Sequence, residues 1–306
     1  MLKFNKLAAL LLLLPTLVAA QVPDGYYSSA DGLTGEALKT ELFQIIDDHQ
    51  AESYSDLWTD FQTTDDKPNG KVWDMYSDVP GGTPPYEFTF GTHQCGNYSS
   101  EGDCYNREHS FPQSWFNDAS PMHTDLFHVV PTDGYVNGKR NNYPYGETNS
   151  PSWTSMNGSK KGPCAYPGYT GTIFEPIDEY KGDFARSYFY MVTRYENLVA
   201  GWESNASGAD AMLNGTSFPA FEDLALSMLI EGHSNDPVSE KEINRNNAIH
   251  DIQNNRNPFI DHPEYVDAIW GDPDQNTPPQ ITDIETIPHT PDPNSTVDIK
   301  ASITDQ

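Results

Sequence analysis

Apolar positions along the chain fall into a few clear periods. Leu38, Leu42, Ile45 and Ile46 recur at helical spacing and predict an amphipathic helix over residues 35–48. Val72–Tyr76 and Tyr86–Phe90 flank the turn signal Pro80-Gly81-Gly82 and predict two short strands. Residues 145–172, rich in Gly, Ser, Pro and Asn, predict a long loop. Phe184, Tyr188, Val192 and Tyr195 mark a substantial helix over 183–198, and another is expected over 219–231. Ser239 and Glu242 form a capping-box pair that starts a helix running to about 254. Residues 263–270 predict a last short helix, stopped by Gly271. The composition then changes: 272–280 carries three prolines and reads as a linker, and Val297, Ile299, Ala301 and Ile303 alternate as in a strand. Helices mixed with short, non-alternating strands predict the α+β class.

The first twenty residues read differently from the rest. Lys3 and Lys6 precede an apolar run from Leu7 to Leu17 and a small-residue site, Val18-Ala19-Ala20. That run is too short for a bilayer span of about 20 apolar residues, so residues 1–20 are expected to be a cleaved secretory signal. The predicted location is secreted, extracellular or periplasmic. Against 17 Lys+Arg the chain carries 45 Asp+Glu, a formal charge of −28; without the leader, 15 basic residues face 45 acidic ones, a net of −30. Long-range repulsion at such a charge excludes a polybasic nucleic-acid coat and an anionic-membrane binder, but not an enzyme that handles a few phosphates locally. Residues 139–194 hold seven basic and five acidic side chains, a local excess of basic charge. Three cysteines are too few for a disulfide scaffold, and no C-x-x-C zinc spacing occurs. No G-x-S-x-G nucleophile motif is present. Residues 281–306 are too few for a sandwich of about 100 residues and are expected to open an incomplete immunoglobulin-like β module.

The segments richest in chemistry are Cys104-Tyr-Asn-Arg-Glu-His-Ser-Phe-Pro112 and Asp125-Leu-Phe-His-Val-Val-Pro-Thr-Asp-Gly-Tyr-Val-Asn137-Gly-Lys-Arg140. Neighbouring residues such as Glu108 and His109 point to opposite faces of a regular strand, so a bend is needed to bring both to one site. There they would offer a hard oxygen ligand and a base of near-neutral pKa, and Asn137 would add a neutral oxygen. Taken alone, a Glu-His pair is more often an ordinary surface pair. His123 and His128 fit either polar contacts or zinc ligation. Cys95 and Cys104 bracket a short polar loop just before the motif, where a disulfide would pin the strand; a bridge from either to Cys164 is the alternative.

The extended pattern resembles the bacterial secreted endonuclease I family of the ββα-metal (His-Me finger) nucleases. Further matching segments are Phe174-Glu-Pro176, Lys181-Gly-Asp-Phe-Ala-Arg186 and Asn255-Arg-Asn-Pro-Phe-Ile-Asp-His-Pro263, so the resemblance covers residues 25–271. It implies a ββα-metal finger core embedded in a mostly helical domain over 21–271. It also implies His109 as general base, with Glu108 and Asn137 holding one Mg²⁺, for which Ca²⁺ or Mn²⁺ could stand in. The implied substrate is DNA, with RNA as a second polymer, cut with little sequence specificity. The family pattern implies an Arg between the His and the Asn, yet residues 110–136 hold neither Arg nor Lys. Arg107, Arg140 and Arg256 are the candidates to take its place, with Lys139 as a further phosphate contact. Competing readings are a phosphodiesterase acting on small phosphate esters with the same site, and a non-catalytic acidic surface module.

Overall fold

A computed structural model describes residues 22–271 and the strands Gln280–Ile287 and Asp298–Thr304. The expected leader and nearly all of the expected linker lie outside the described residues. Helices α1 (Gly35–Ile46) and α2 (Leu57–Thr64) come first. Strands β1 (Tyr105–His109) and β2 (Val129–Asp133) pair antiparallel, with Glu108 opposite Val130 and His109 opposite Val129. Helix α3 (Gly134–Arg140) follows β2 without a linker, because the Asp133 side chain caps it by accepting from the Val136 N–H at 2.9 Å.

Strands β3 (Trp153–Thr154), β4 (Lys160–Pro163) and β5 (Thr172–Glu175) form a second antiparallel sheet. After them come α4 (Lys181–Arg194), the single turns α5 (Glu196–Val199) and α6 (Ser207–Asp210), and α7 (Asp223–Asn235). Helices α8 (Glu240–Gln253), α9 (Pro258–Asp261) and α10 (Tyr265–Trp270) complete the helical part. Strands β6 (Gln280–Ile287) and β7 (Asp298–Thr304) pair with each other antiparallel. The chain is therefore α+β, as expected.

Helix α4 is the centre. Twelve of its fourteen residues are buried, from Gly182 to Arg194, because α1, α7 and α9 all pack against it. Helix α1 sets Leu38, Leu42 and Ile46 into the same core. The α8 capping box forms as its sequence predicts, with Ser239 accepting from the Glu242 N–H and Glu242 accepting from the Ser239 N–H at 2.9 Å.

Four expectations need correction. Residues 72–76 and 86–90 are not strands: the Val72 N–H bonds the Phe88 carbonyl, but Trp73 turns to Asp65, so no ladder develops. The buried Asp74 then uses its carboxylate to bind backbone N–H groups at Tyr76 and Asp133. The 145–172 loop contains β3 and β4, and their sheet is completed by β5, which starts at the last residue of that segment. The helix expected over 183–198 breaks at Tyr195, whose φ of −115° separates α4 from α5. The helix expected at 219 starts at Asp223, because Ala220 sits at φ 74° and Phe221 bridges to Leu213.

Candidate functional site

β1, the turn beyond it and α3 enclose a polar cleft of about 380 Å³. Glu108, His109 and Asn137 all line it. The alternation that separates Glu108 from His109 ends at His109, the last residue of β1, so the required bend is the strand's own end.

Glu108 is buried, and its Oε1 accepts from the Tyr76 hydroxyl at 3.0 Å and faces Arg140 Nη1 at 3.3 Å. No described residue donates to Oε2. Burial pushes this carboxyl up to about 7 against the opposing pull of Arg140 and Tyr76. Tyr76 is itself held through its hydroxyl by Tyr145 at 2.9 Å.

His109 is also buried, and its Nε2 meets the His123 carbonyl at 3.0 Å. A carbonyl can only accept, so Nε2 carries the proton and Nδ1 keeps the lone pair. Burial, and then the nearby His128, hold the imidazole well below its usual pKa, in the neutral form. The ring stacks on His123 with centroids 5.0 Å apart and planes 13° from parallel.

Asn137, in the middle of α3, directs Nδ2 to Asn106 Oδ1 at 2.8 Å and toward the Arg107 carbonyl at 3.5 Å. That second partner is acceptor-only, which fixes the amide's orientation. No described residue donates to Asn137 Oδ1. Glu108 and Asn137, each with a hard oxygen to which no described residue donates, thus line the same cleft as His109. This donor set suits a small, hard divalent cation that keeps several waters.

The four basic candidates separate. Arg107 lines the cleft; its guanidinium lies 3.5 Å from the Tyr54 ring centre and 4.4 Å from that of Trp58, and Nη1 donates to the Tyr54 carbonyl at 2.5 Å. Arg140 reaches the cleft wall but is 1% exposed. Its fork is filled by the carbonyls of His109 at 3.0 Å and Ser110 at 2.5 Å, the Tyr188 hydroxyl at 3.2 Å and Glu108. It is a brace for β1, not a free phosphate clamp. Arg256 is not in the cleft: it is buried against Asp261, at 2.6 and 2.7 Å, and Asn247, at 2.8 Å. Lys139 lies at the C-terminal end of α3, with Nζ 4.8 Å from the Tyr135 ring centre.

The zinc alternative finds no geometry. His128 turns Nε2 to the Met122 carbonyl at 2.6 Å, and among the described residues no three His, Cys, Asp or Glu side chains converge for a metal. Cys95 and Cys104 are bonded, with Cα atoms 5.7 Å apart, and Cys164 is free. Sequence reasoning missed Tyr76, Tyr145 and Tyr54. They come from 32 or more positions away from the residues they support, and no local pattern marks them.

An α+β chain whose polar cleft gathers a carboxylate, a neutral imidazole and an oriented amide belongs to the class of proteins equipped for acid–base chemistry. Comparison with known proteins specifies it: a family model described as Endonuclease I matches residues 34–264. The chain is 37% identical over 252 residues to an "Extracellular ribonuclease" of Bacillus amyloliquefaciens, covering 80% of this chain and 78% of the relative. It is 34% identical over 255 residues to an "Extracellular ribonuclease" of Bacillus subtilis (strain 168), covering 81% and 78%. An "Endonuclease-1" of Buchnera aphidicola matches at 25% over 140 residues, 45% of each chain. The chain belongs to the endonuclease I family.

Proposed function

We propose that this protein is a secreted, metal-dependent endonuclease that hydrolyses phosphodiester bonds of RNA and DNA with little sequence specificity. The observation that carries the reading is the cleft shared by Glu108, Asn137 and His109. On this reading β1, β2 and α3 form a ββα-metal core, and Glu108 and Asn137 would hold one Mg²⁺. A bound Mg²⁺ would polarise the phosphate and stabilise the charge on the leaving oxygen. His109 Nδ1 takes a proton from the attacking water while the His123 carbonyl holds Nε2–H and thereby the ring. Arg140 and Tyr76 orient the Glu108 carboxylate from its buried side. Arg107 contributes a positive charge that lines the cleft and is not paired with a carboxylate, in the role that residues 110–136 leave open. The family membership supports nuclease chemistry, and the two extracellular ribonucleases among its relatives support secretion and an RNA substrate.

Supercoiled plasmid and single-stranded RNA, incubated with the purified protein and Mg²⁺ or EDTA, test the proposal. Cleavage should require the metal. His109→Ala should fold, bind Mg²⁺ and lose roughly 10²–10⁴-fold in rate. Calorimetric titration of Mg²⁺ should show weakened binding in Glu108→Ala and Asn137→Ala. Full activity in EDTA, or wild-type turnover by His109→Ala, would remove this mechanism.

A further inference from the structure

Cations are scarce in this protein, and most of those described are already occupied. Ten Lys and Arg side chains sit in ion pairs with carboxylates, many of them buried. Among residues 22–271 four do not: Lys71, Arg107, Lys139 and Lys161. Lys71 donates to Thr89. The other three each lie over an aromatic ring: Arg107 over Tyr54, Lys139 over Tyr135, and Lys161, at 5.7 Å, over Tyr143.

These groups adjoin cleft-lining residues along the chain. Lys139 stands between the cleft-lining Gly138 and Arg140, and Tyr135 one turn before it on α3. Tyr135 meets Trp153 with centroids 6.5 Å apart. Trp153 pairs across the sheet with Lys161, which places both side chains on one face. Lys161 covers Tyr143, the residue after the cleft-lining Asn142. All five side chains are half-exposed, neither core nor fully solvated.

We infer that Tyr135, Lys139, Trp153, Lys161 and Tyr143 form a track for unpaired polynucleotide leading into the cleft. The inference rests on the nuclease reading for the identity of the polymer and adds its form: a single strand with accessible bases. Half-exposed rings offer stacking faces that any base can use, and the ammonium groups between them match phosphates. In a duplex the bases are already stacked and turned inward, so a duplex would gain only the phosphate contacts. The elsewhere acidic surface leaves this strip as the attractive route for a polyanion.

Fluorescence anisotropy with a strand of about 20 nucleotides tests it, as RNA, as DNA and as the matched duplex, in EDTA over a NaCl series. Wild-type protein should bind either single strand at least about tenfold more tightly than the duplex. Lys139→Ala/Lys161→Ala should reduce the slope of log affinity against log salt by about 1.4. Tyr143→Ala/Trp153→Ala should weaken single-strand binding about tenfold or more, and Tyr143→Phe/Trp153→Phe should restore it. Equal affinity for strand and duplex, or an alanine pair that binds the strand like wild type, would overturn the track. A protein that binds the strand by this pattern but never cuts it with Mg²⁺ would instead overturn the nuclease reading. RNA and DNA arms that differ would show which sugar the track prefers without changing the inference.

Discussion

Arg140→Met should unfold the protein at a markedly lower temperature. The Arg140 guanidinium is 1% exposed and meets the buried Glu108 carboxylate at 3.3 Å, while also satisfying the carbonyls of His109 and Ser110. A methionine fills comparable volume but removes every donor. Breaking one half of a buried pair costs about 3–5 kcal/mol, because the remaining charge has no water to return to. The His109 carbonyl, left without this donor, adds to it, since a buried acceptor without a donor costs about 1–3 kcal/mol, whereas the Ser110 carbonyl keeps the Tyr188 hydroxyl at 3.1 Å. Protonation of Glu108 and local rearrangement offset part of the total, so about 3–5 kcal/mol is the expected net. For a domain of this size each kcal/mol shifts Tm by about 2–4 °C, which predicts a fall of roughly 6–20 °C. Calorimetry in EDTA at fixed pH, with Arg140→Lys alongside, is the assay. Lysine retains the charge but not the fork and should fall between. A methionine variant within about 2 °C of wild type would show that Glu108 and the end of β1 are held by other contacts, and the brace assigned to Arg140 would be wrong.

Three further outcomes are expected. Burial, reinforced by Glu52 and Asp56, pushes the Asp60 carboxyl up to about 6, and its Oδ2 has no partner. A raised folded pKa means Asp60 contributes stability below its unfolded pKa and loses it as pH rises through 6. Tm against pH should therefore decline less steeply between pH 4 and 7 for Asp60→Asn; identical slopes would count against this. Replacing Cys95 and Cys104 with serine opens a loop of sequence separation 9 and should destabilise by roughly 2–3 kcal/mol in urea unfolding; an unchanged midpoint would mean the loop is held without the bond. On duplex DNA, kcat/KM at constant Mg²⁺ should first rise with NaCl, as the Debye length shrinks from about 30 Å at 0.01 M to about 8 Å at 0.15 M, and then fall. A monotonic fall would give control of encounter to local contacts.

Legibility of the chain divides along a physical line. The α1 and α8 helices were readable because their signals are local: an apolar stripe in one, a reciprocal cap in the other. Glu108, His109 and Asn137 were legible through their motif, and the cleft does gather them. The supports of the site were not. Tyr76 reaches Glu108 from a segment whose apolar run imitates a strand, yet whose backbone is diverted by the buried Asp74. Arg256 illustrates the converse: its motif suggested phosphate, whereas Asp261, five residues later, takes its guanidinium in a fork. Nothing in spacing tells a clamp from a brace; only burial and partner atoms do.

The irregular segment from Asp74 to Tyr76 has a consequence for any attempt to transplant the site. Asp74 binds the Asp133 N–H at 3.0 Å, at the residue that caps α3, and Tyr76 holds Glu108 at 3.0 Å. Two side chains two residues apart thus fasten the helix that carries Asn137 and the strand that carries Glu108 to a common anchor. An excerpt of β1, β2 and α3 grafted onto another scaffold would carry Glu108, His109 and Asn137 and neither fastening. What must travel with the motif is a piece of chain that precedes it by some thirty residues and contributes no chemistry of its own.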